Sequence, residues 1–159
     1  AIFLRQEQRD AARDIVDAVE KSTKGVLTGS AGSGKTFGTM AAIVAELLRR
    51  GRPVLRVSKK PNRAILFCHG DQGIDAWTAD LGVAFFGKVD LASDSSVHAV
   101  VDPPEAGFGG RFIGLLCHVI VVPADDRKKH KPGVTKSDPV YYSDPPTPDE
   151  CVLMCEYMW

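Results

Sequence analysis

The sequence has no long apolar run, and this absence limits where the protein can act. A membrane-spanning helix requires about 18 or more consecutive apolar residues, and the chain contains no such stretch. The N-terminal residues also lack the basic, apolar and small-residue layout of a secretion signal. We therefore expect a cytoplasmic protein that has no membrane partner.

Cysteine is scarce and is not arranged for structural chemistry. The four cysteines, Cys68, Cys117, Cys151 and Cys155, form no C-x-x-C pair. Without an export signal, reduced thiols are the expected state. Cys151 and Cys155 would share one helix face, but no histidine pair accompanies them, so we expect no zinc site.

The chain is too short for two large nucleotide-binding domains. Its 159 residues correspond to one ordinary domain, since a domain takes about 100–200 residues. The formal charge is zero, but residues 1–66 hold 13 Lys and Arg against 6 Asp and Glu, and residues 67–159 hold 7 against 14. This asymmetry indicates an anionic partner for the basic half.

A glycine-rich segment in the basic half has the pattern G-x-x-x-x-G-K-[ST]. Its residues are Gly29, Ser30, Ala31, Gly32, Ser33, Gly34, Lys35 and Thr36. Glycines let backbone N–H groups approach a phosphate closely, and the first turn of a following helix adds further N–H donors. We expect all eight residues to bind ATP, with Lys35 reaching the β- and γ-phosphates and the Thr36 hydroxyl coordinating Mg²⁺.

The patterns around this segment predict a βαβ unit. Apolar residues at three- and four-residue spacing indicate a helix over 6–20, a short apolar run indicates a strand at 26–28, and a second stripe indicates a helix over 36–50 that ends at Gly51. A second strand follows at 53–58. The sequence therefore predicts an α/β fold with a parallel sheet flanked by helices.

The rest of the chain is less regular. We predict strands at 97–101 and 117–122, whereas residues 64–67 favour a helical continuation. Later the chain becomes charged and then proline-rich. We therefore assign residues 1–135 to a single nucleotide-binding domain and residues 136–159 to a proline-rich C-terminal tail. The stretch 128–148 is expected to be loop or disordered, and residues 151–154 are a candidate for one short element.

Hydrolysis of a triphosphate requires an acid at the end of a neighbouring strand, where it holds magnesium, and usually a second acid that positions water. Asp102 follows the predicted strand 97–101 and is the candidate for the first role; Glu105 is the next acid along the chain. Asp125 and Asp126 form a rival pair. The alternative for Asp102 is a turn that only terminates the strand.

The order of these features resembles the N-terminal motor domain of superfamily 1 DNA helicases, in particular the RecD-like and Dda-like branch. LRQEQRDAARDIVDAV resembles the opening glutamine motif, LTGSAGSGKT the phosphate loop, and VLRVSKKPNRAIL a motif that touches single-stranded DNA. HAVVDPPEAGFGGRFIGLL is similar to the family's V-D-E-A segment, with Pro103 in place of its glutamate. The resemblance implies a RecA-like P-loop fold.

The resemblance also implies an activity and a set of site residues. Gln8 would contact the adenine, and Lys35, Asp102 and Glu105 would be the catalytic residues. Basic residues near the carboxyl end of the second strand would hold DNA phosphates; they are Arg56, Lys59, Lys60 and Arg63. The expected function is an ATP-hydrolysing motor domain of a helicase or translocase acting on single-stranded DNA, with a second motor domain or partner protein.

A second class of function stays open at this point. A P-loop protein that is not a motor, such as a small-molecule kinase or a regulatory ATPase subunit, would carry the same loop. The two classes differ in their response to DNA, because only the motor's ATP turnover would rise when single-stranded DNA is added.

Overall fold

The protein is an α/β structure built on one mixed sheet. The computed structural model describes residues 4–22, 24–29, 33–58, 63–80, 96–101, 118–122, 139–143 and 145–158. Within these ranges the helices are α1 (Gln6–Ser22), a π-helical turn (Lys35–Thr39) continuing into α2 (Met40–Arg49), and α3 (Pro148–Met158). None of the helices in this described part combines the length and apolar character that a bilayer crossing demands.

The seven described strands follow the order β4-β3-β2-β5-β6-β1-β7 across the sheet. They are β1 (Lys24–Gly29), β2 (Val54–Ser58), β3 (Arg63–Gly70), β4 (Gly73–Asp80), β5 (His98–Val101), β6 (His118–Val121) and β7 (Val140–Ser143). Strands β2, β5, β6, β1 and β7 are parallel, which confirms the predicted α/β class. The expectation of a parallel sheet throughout was incomplete, because β3 runs antiparallel to both β2 and β4.

The antiparallel part of the sheet is a hairpin where the sequence predicted a helix at 64–67. Ala64 lies opposite Val57 of β2, and Gly70 lies opposite Gly73 of β4 across a two-residue turn. A short apolar run does not distinguish a strand from a buried helix segment. Pairing with β2 on one side and β4 on the other decided the outcome.

Apolar side chains cover both faces of the sheet. Helices α1 and α2 pack on one face against Leu27, Val100 and Ile120, and the core there includes Ile15 and Ile43. On the opposite face a second buried cluster comprises Leu55, Val57, Ala64, Val97, Ala99, Val101 and Val119. Burial on both faces explains why β5 and β6 are continuous apolar runs, as parallel strands usually are.

Helix α2 ends where the sequence predicted. Gly51 adopts φ 73°, its N–H donates to the carbonyl of Leu48 at 2.9 Å, and the N–H of Arg52 donates to the carbonyl of Leu47 at 3.0 Å. This pair of bonds is the Schellman motif, which glycine permits because it lacks a Cβ. The stop at Gly51 is therefore confirmed.

The C-terminal residues contribute a strand and a helix, where composition predicted a tail over 136–159. Strand β7 pairs in parallel with β1, so that Val140 lies beside Val26 and Ser143 beside Gly29. Helix α3 begins with a reciprocal cap in which the Thr147 N–H donates to the Glu150 carboxylate at 2.8 Å. The prolines here precede or open the helix, where a missing N–H costs little.

Candidate functional site

The carboxyl ends of the parallel strands meet at one side of the sheet, which we call the carboxyl edge. Gly29 ends β1, and its neighbours in the sheet are β7, ending at Ser143, and β6. From β1 the chain continues to β2, three positions away, whereas β7 lies on the other side of β1. The chain connections therefore run to opposite sides of β1. In α/β sheets, ligands bind at the carboxyl ends of the strands where the direction of the connections reverses.

Gly29 is required at this edge because the main chain of β7 approaches it closely. A Cβ on Gly29 would collide with the carbonyl oxygen of Ser143 and would lie 3.1 Å from the Ser33 hydroxyl. The loop therefore leaves β1 through a gap that only glycine fits. Ser30, Ala31 and Gly32, which were predicted to bind phosphate, lie outside the described residues.

The loop re-enters the described structure directly before a wide helical turn. Gly34 has the left-handed conformation, with φ 79° and ψ 16°. Its carbonyl accepts from the N–H groups of both Gly38 at 2.7 Å and Thr39 at 3.2 Å, and this shared acceptor opens the turn into the π form. The first N–H groups of such a helix have no partner within it, so they face the loop as donors.

Lys35 lies at the base of the loop and is largely buried, with 9% of its surface exposed. Its ammonium group donates to the Gly29 carbonyl at 2.5 Å, which joins the last residue of β1 to the first residue of the helix. A cation in this position, next to helix N–H donors, is suited to bind an anionic ligand.

Ser33 also belongs to the described part of the loop. Its hydroxyl is buried and has no hydrogen-bond partner within the described part of the chain. An unpartnered buried hydroxyl costs free energy, and a ligand that bonds to it recovers that cost. Thr36 is on the π turn, but its side chain, predicted to hold Mg²⁺, is outside the described structure.

Gln8 is brought to this loop from α1. Its side chain is buried, its Oε1 accepts from the Arg5 N–H at 3.1 Å, and its Nε2 lies 2.9 Å from the point where a Cβ of Gly34 would be. A Cβ on Gly38 would collide with the same carboxamide. The structure therefore places Gln8 against the first turn after the loop, next to the other predicted ligand-binding residues.

Four residues around the loop were missed by sequence reasoning: Arg5, Thr39, Ser143 and Glu150. The buried Arg5 guanidinium donates to the Ser33 carbonyl at 3.1 Å and to the Glu150 carboxylate at 3.2 Å. The Ser143 hydroxyl lies 3.2 Å from the Thr39 hydroxyl. The T-P-D-E segment at 147–150 was the available signal, because it has the spacing of a helix capping box.

The acids predicted to hold magnesium and to position water are not among the residues that the structure describes. Asp102, Glu105, Asp125 and Asp126 lie outside the described residues. Asp102 directly follows Val101, the last residue of β5, and β5 is separated from β1 by β6 alone. Within the described ranges, no group of three or more His, Cys, Asp or Glu residues is arranged to hold a metal ion.

Two of the predicted DNA-binding residues lie near the carboxyl edge. Arg56 is close to the end of β2, and Arg63, the first residue of β3, pairs with Ser58 at that end. The Arg56 Nε is buried and has no hydrogen-bond partner within the described ranges. Lys59 and Lys60 lie between these strands, outside the described residues.

Comparison with known proteins adds no relative from which a function could be transferred. No family model, curated protein or solved structure matches the chain significantly. A function is therefore inferred from the residues and geometry at the carboxyl edge.

Proposed function

We propose that this protein binds ATP with Mg²⁺ at the loop from Gly29 to Thr36 and hydrolyses it as the motor domain of a DNA helicase or translocase. One observation carries the proposal: Lys35 is buried at the junction of β1 and the following helix, with its ammonium on the carbonyl of Gly29. The strand before the loop and the helix after it are the structural context in which the P-loop pattern binds phosphate, and they support this proposal.

The described groups fit a triphosphate chemically. When a triphosphate binds, the Lys35 ammonium would leave the Gly29 carbonyl and donate to a phosphate oxygen. The negative charge of that oxygen makes it the stronger acceptor. The first N–H groups of the helix supply further donors and the positive end of its dipole. The Ser33 hydroxyl, buried without a partner among the described residues, supplies one more.

The magnesium and catalytic roles are assigned to residues by their positions in the sequence. Thr36 and Asp102 would be ligands for Mg²⁺, which lowers the charge repulsion at the transferred phosphate. Glu105 would position the attacking water. Gln8 would contact the adenine, and its place beside Gly34 and Gly38 puts it on the loop side of α1.

Single-stranded DNA is the proposed partner of the basic residues near the ends of β2 and β3. A buried guanidinium nitrogen without a partner within the described ranges, as at Arg56, is stabilised by a phosphate. Lys59, Lys60 and Arg63 would extend the same contact by neutralising further phosphates. Movement along DNA requires that ATP change the closure between this domain and a second motor domain or partner protein.

The binding part of the proposal is tested by a calorimetric titration with ATP and magnesium. Lys35→Ala removes one charge-assisted contact and is expected to weaken ATP binding at least about tenfold. Lys21→Ala, in the exposed last turn of α1, removes the same charge elsewhere and should leave the affinity unchanged. Equal affinities for wild type and Lys35→Ala would refute the site.

The motor part is tested by ATP turnover with and without single-stranded DNA. If single-stranded DNA raises the rate of ATP turnover, and this increase is smaller in Arg56→Ala, the motor function is supported. Transfer of phosphate to a nucleoside or another small acceptor, with no response to DNA, would establish the kinase alternative instead.

A further inference from the structure

The C-terminal residues are connected to the phosphate loop through one carbonyl group. The Ser33 carbonyl oxygen accepts from the Arg5 guanidinium at 3.1 Å and from the Ser143 hydroxyl at 3.4 Å. Ser143 ends β7, and Arg5 in turn donates to Glu150 of α3 at 3.2 Å. Two separate elements of the C-terminal part therefore act on the same atom of the loop.

This contact determines the direction in which the Gly34 N–H, a hydrogen-bond donor of the loop, points. A trans peptide group is planar, and its C=O and N–H point in opposite directions. Holding the Ser33 carbonyl toward Arg5 and Ser143 therefore turns the Gly34 N–H away from them. Gly34 has φ 79°, a conformation with little steric restraint in glycine, so the peptide needs an external contact to hold its orientation.

The Arg5 guanidinium is kept in place by its burial and by its ion pair with Glu150 of α3. The Arg5 side chain is 3% exposed and the Glu150 side chain 27% exposed, whereas Glu7, the other described carboxylate on Arg5, is 42% exposed. Glu150 is itself fixed, because its carboxylate accepts the Thr147 N–H in the helix cap at 2.8 Å. The cap of α3 thereby fixes Arg5 against the loop.

We propose that Arg5, Ser143 and Glu150 are positioning residues that orient the Ser33–Gly34 peptide for phosphate binding, so that the C-terminal strand and helix control the affinity of the loop. This inference rests on the proposed nucleotide function for its consequence, but the orientation of the peptide is a property of the protein without nucleotide. The two are therefore tested separately.

The orientation is tested by NMR of the ¹⁵N-labelled protein without nucleotide. The ¹⁵N shift of Gly34 responds to hydrogen bonds at the carbonyl of the preceding residue, which is the Ser33 acceptor. Ser143→Ala, Arg5→Met and Glu150→Gln are expected to shift this resonance. Glu156→Gln, which makes the same change on an exposed position of α3, should not. An unmoved Gly34 resonance in folded Ser143→Ala and Glu150→Gln would overturn the proposal.

The consequence is tested by titrating the same variants with ATP and magnesium. Ser143→Ala is expected to weaken affinity about fivefold, the effect of one neutral hydrogen bond, and Arg5→Lys should recover part of what Arg5→Met loses. If affinity is unchanged in both Ser143→Ala and Arg5→Met while Lys35→Ala is still defective, these residues do not control nucleotide affinity. That result would leave the orientation of the peptide to be decided by the Gly34 resonance. If Lys35→Ala bound ATP normally, the nucleotide function would fail, and the Gly34 resonance would still decide the orientation.

Discussion

The two ends of the parallel strands differ in how their charges are satisfied. At the amino edge, where the strands begin, Arg50 bonds to Asp17, Glu20 and Glu46, and Arg52 bonds to Glu20. At the carboxyl edge, Lys35 contacts the main-chain carbonyl of Gly29. Arg5 beside the loop also pairs with carboxylates, those of Glu7 and Glu150. The difference between the edges lies at Lys35, whose ammonium contacts a neutral carbonyl oxygen that an anion can replace.

This difference indicates that the amino edge contributes mainly to folding stability and the carboxyl edge mainly to nucleotide binding. Ion pairs that join the ends of α1 and α2 contribute to folding, although partly exposed pairs contribute little each. The contact of Lys35 with a neutral carbonyl is weaker than a charge-assisted pair, so a bond to an anionic ligand can replace it. We therefore expect changes at the amino edge to alter stability without altering nucleotide affinity, and changes at the carboxyl edge to alter affinity most.

The largest effect is expected from Gly29→Ala. The added Cβ would push against the Ser143 carbonyl, a main-chain atom that cannot rotate away, so β1 and β7 would have to separate. We expect a loss of about 2–3 kcal/mol in the free energy of unfolding and loss of measurable ATP binding, followed by denaturant titration and calorimetry. Normal ATP affinity in this variant would show that the approach of β7 does not shape the loop.

The next effect is a pH dependence at the amino edge. The pKa of His98 is lowered to about 4, mainly by burial and also by the charges of His118 and Arg52, while a hydrogen bond to the Ser96 carbonyl and the charge of Glu20 oppose the lowering. The ring stacks on His118 with centroids 4.6 Å apart. Between the folded and unfolded pKa values the unfolded state binds more protons, so stability is complete above about pH 6.5 and falls toward pH 4.

We expect this loss to be about 2 kcal/mol once solvent screening is allowed for. Unfolding followed by circular dichroism from pH 7 to 4 measures it, and His98→Phe keeps a ring while removing the titration. An equal loss in His98→Phe would assign the pH dependence to other groups.

A smaller effect is expected from Glu46→Gln. Hydrogen bonds from the Arg49 guanidinium lower the pKa of Glu46 to about 2 against the opposing effect of burial, and Arg50 adds to the lowering. The stability that this carboxylate provides is present above about pH 4.5 and is lost as the pH falls toward 2. At pH 7 we expect Glu46→Gln to destabilise the protein by about 1 kcal/mol.

The matched control for this variant is Asp10→Asn, which removes an exposed partner of Arg13 on α1 and should have a smaller effect. A change in ATP affinity in Glu46→Gln would contradict the separation of the two edges.

The smallest effect is expected from Gly51→Ala. Among the residues that the structure describes, none outside the adjoining backbone has an atom within 4 Å of the added Cβ, so the left-handed conformation, φ 73°, is what opposes the change. We expect a loss of about 1 kcal/mol in thermal or denaturant unfolding and an unchanged ATP affinity. Because Gly29→Ala is the same substitution at the other edge, a similar effect of both variants on ATP binding would remove the distinction between the edges.

Local patterns were sufficient for the elements nearest the loop. The helix over α1, the strand β1, the helix ending at Gly51 and the strand β2 were all predicted, because apolar spacing and a glycine stop act within a few residues. The same holds for β5 and β6, whose apolar runs are buried on both faces. His98 and His118 also lie in these strands, as the sequence indicated.

The elements missed depend on contacts between distant segments. Strand β3 was mistaken for helix because its residues pair with β2 and β4, and β7 was assigned to a tail because nothing local shows that it pairs with β1. The same is true of Arg5: its sequence neighbours give no sign that its guanidinium lies between the loop carbonyl of Ser33 and the carboxylate of Glu150.

By itself the sequence determined the phosphate-loop pattern, the order of helix and strand around it, and the positions of Lys35 and Gln8 within those elements. Only the tertiary structure decided that β7 packs beside β1, that Gly29 is required by the nearness of Ser143, and that Arg5 and Glu150 act on the loop. The reason is physical: backbone preferences and helix stops act over a few residues, whereas a hydrogen bond between residues 5 and 150 exists only once the sheet has brought them together.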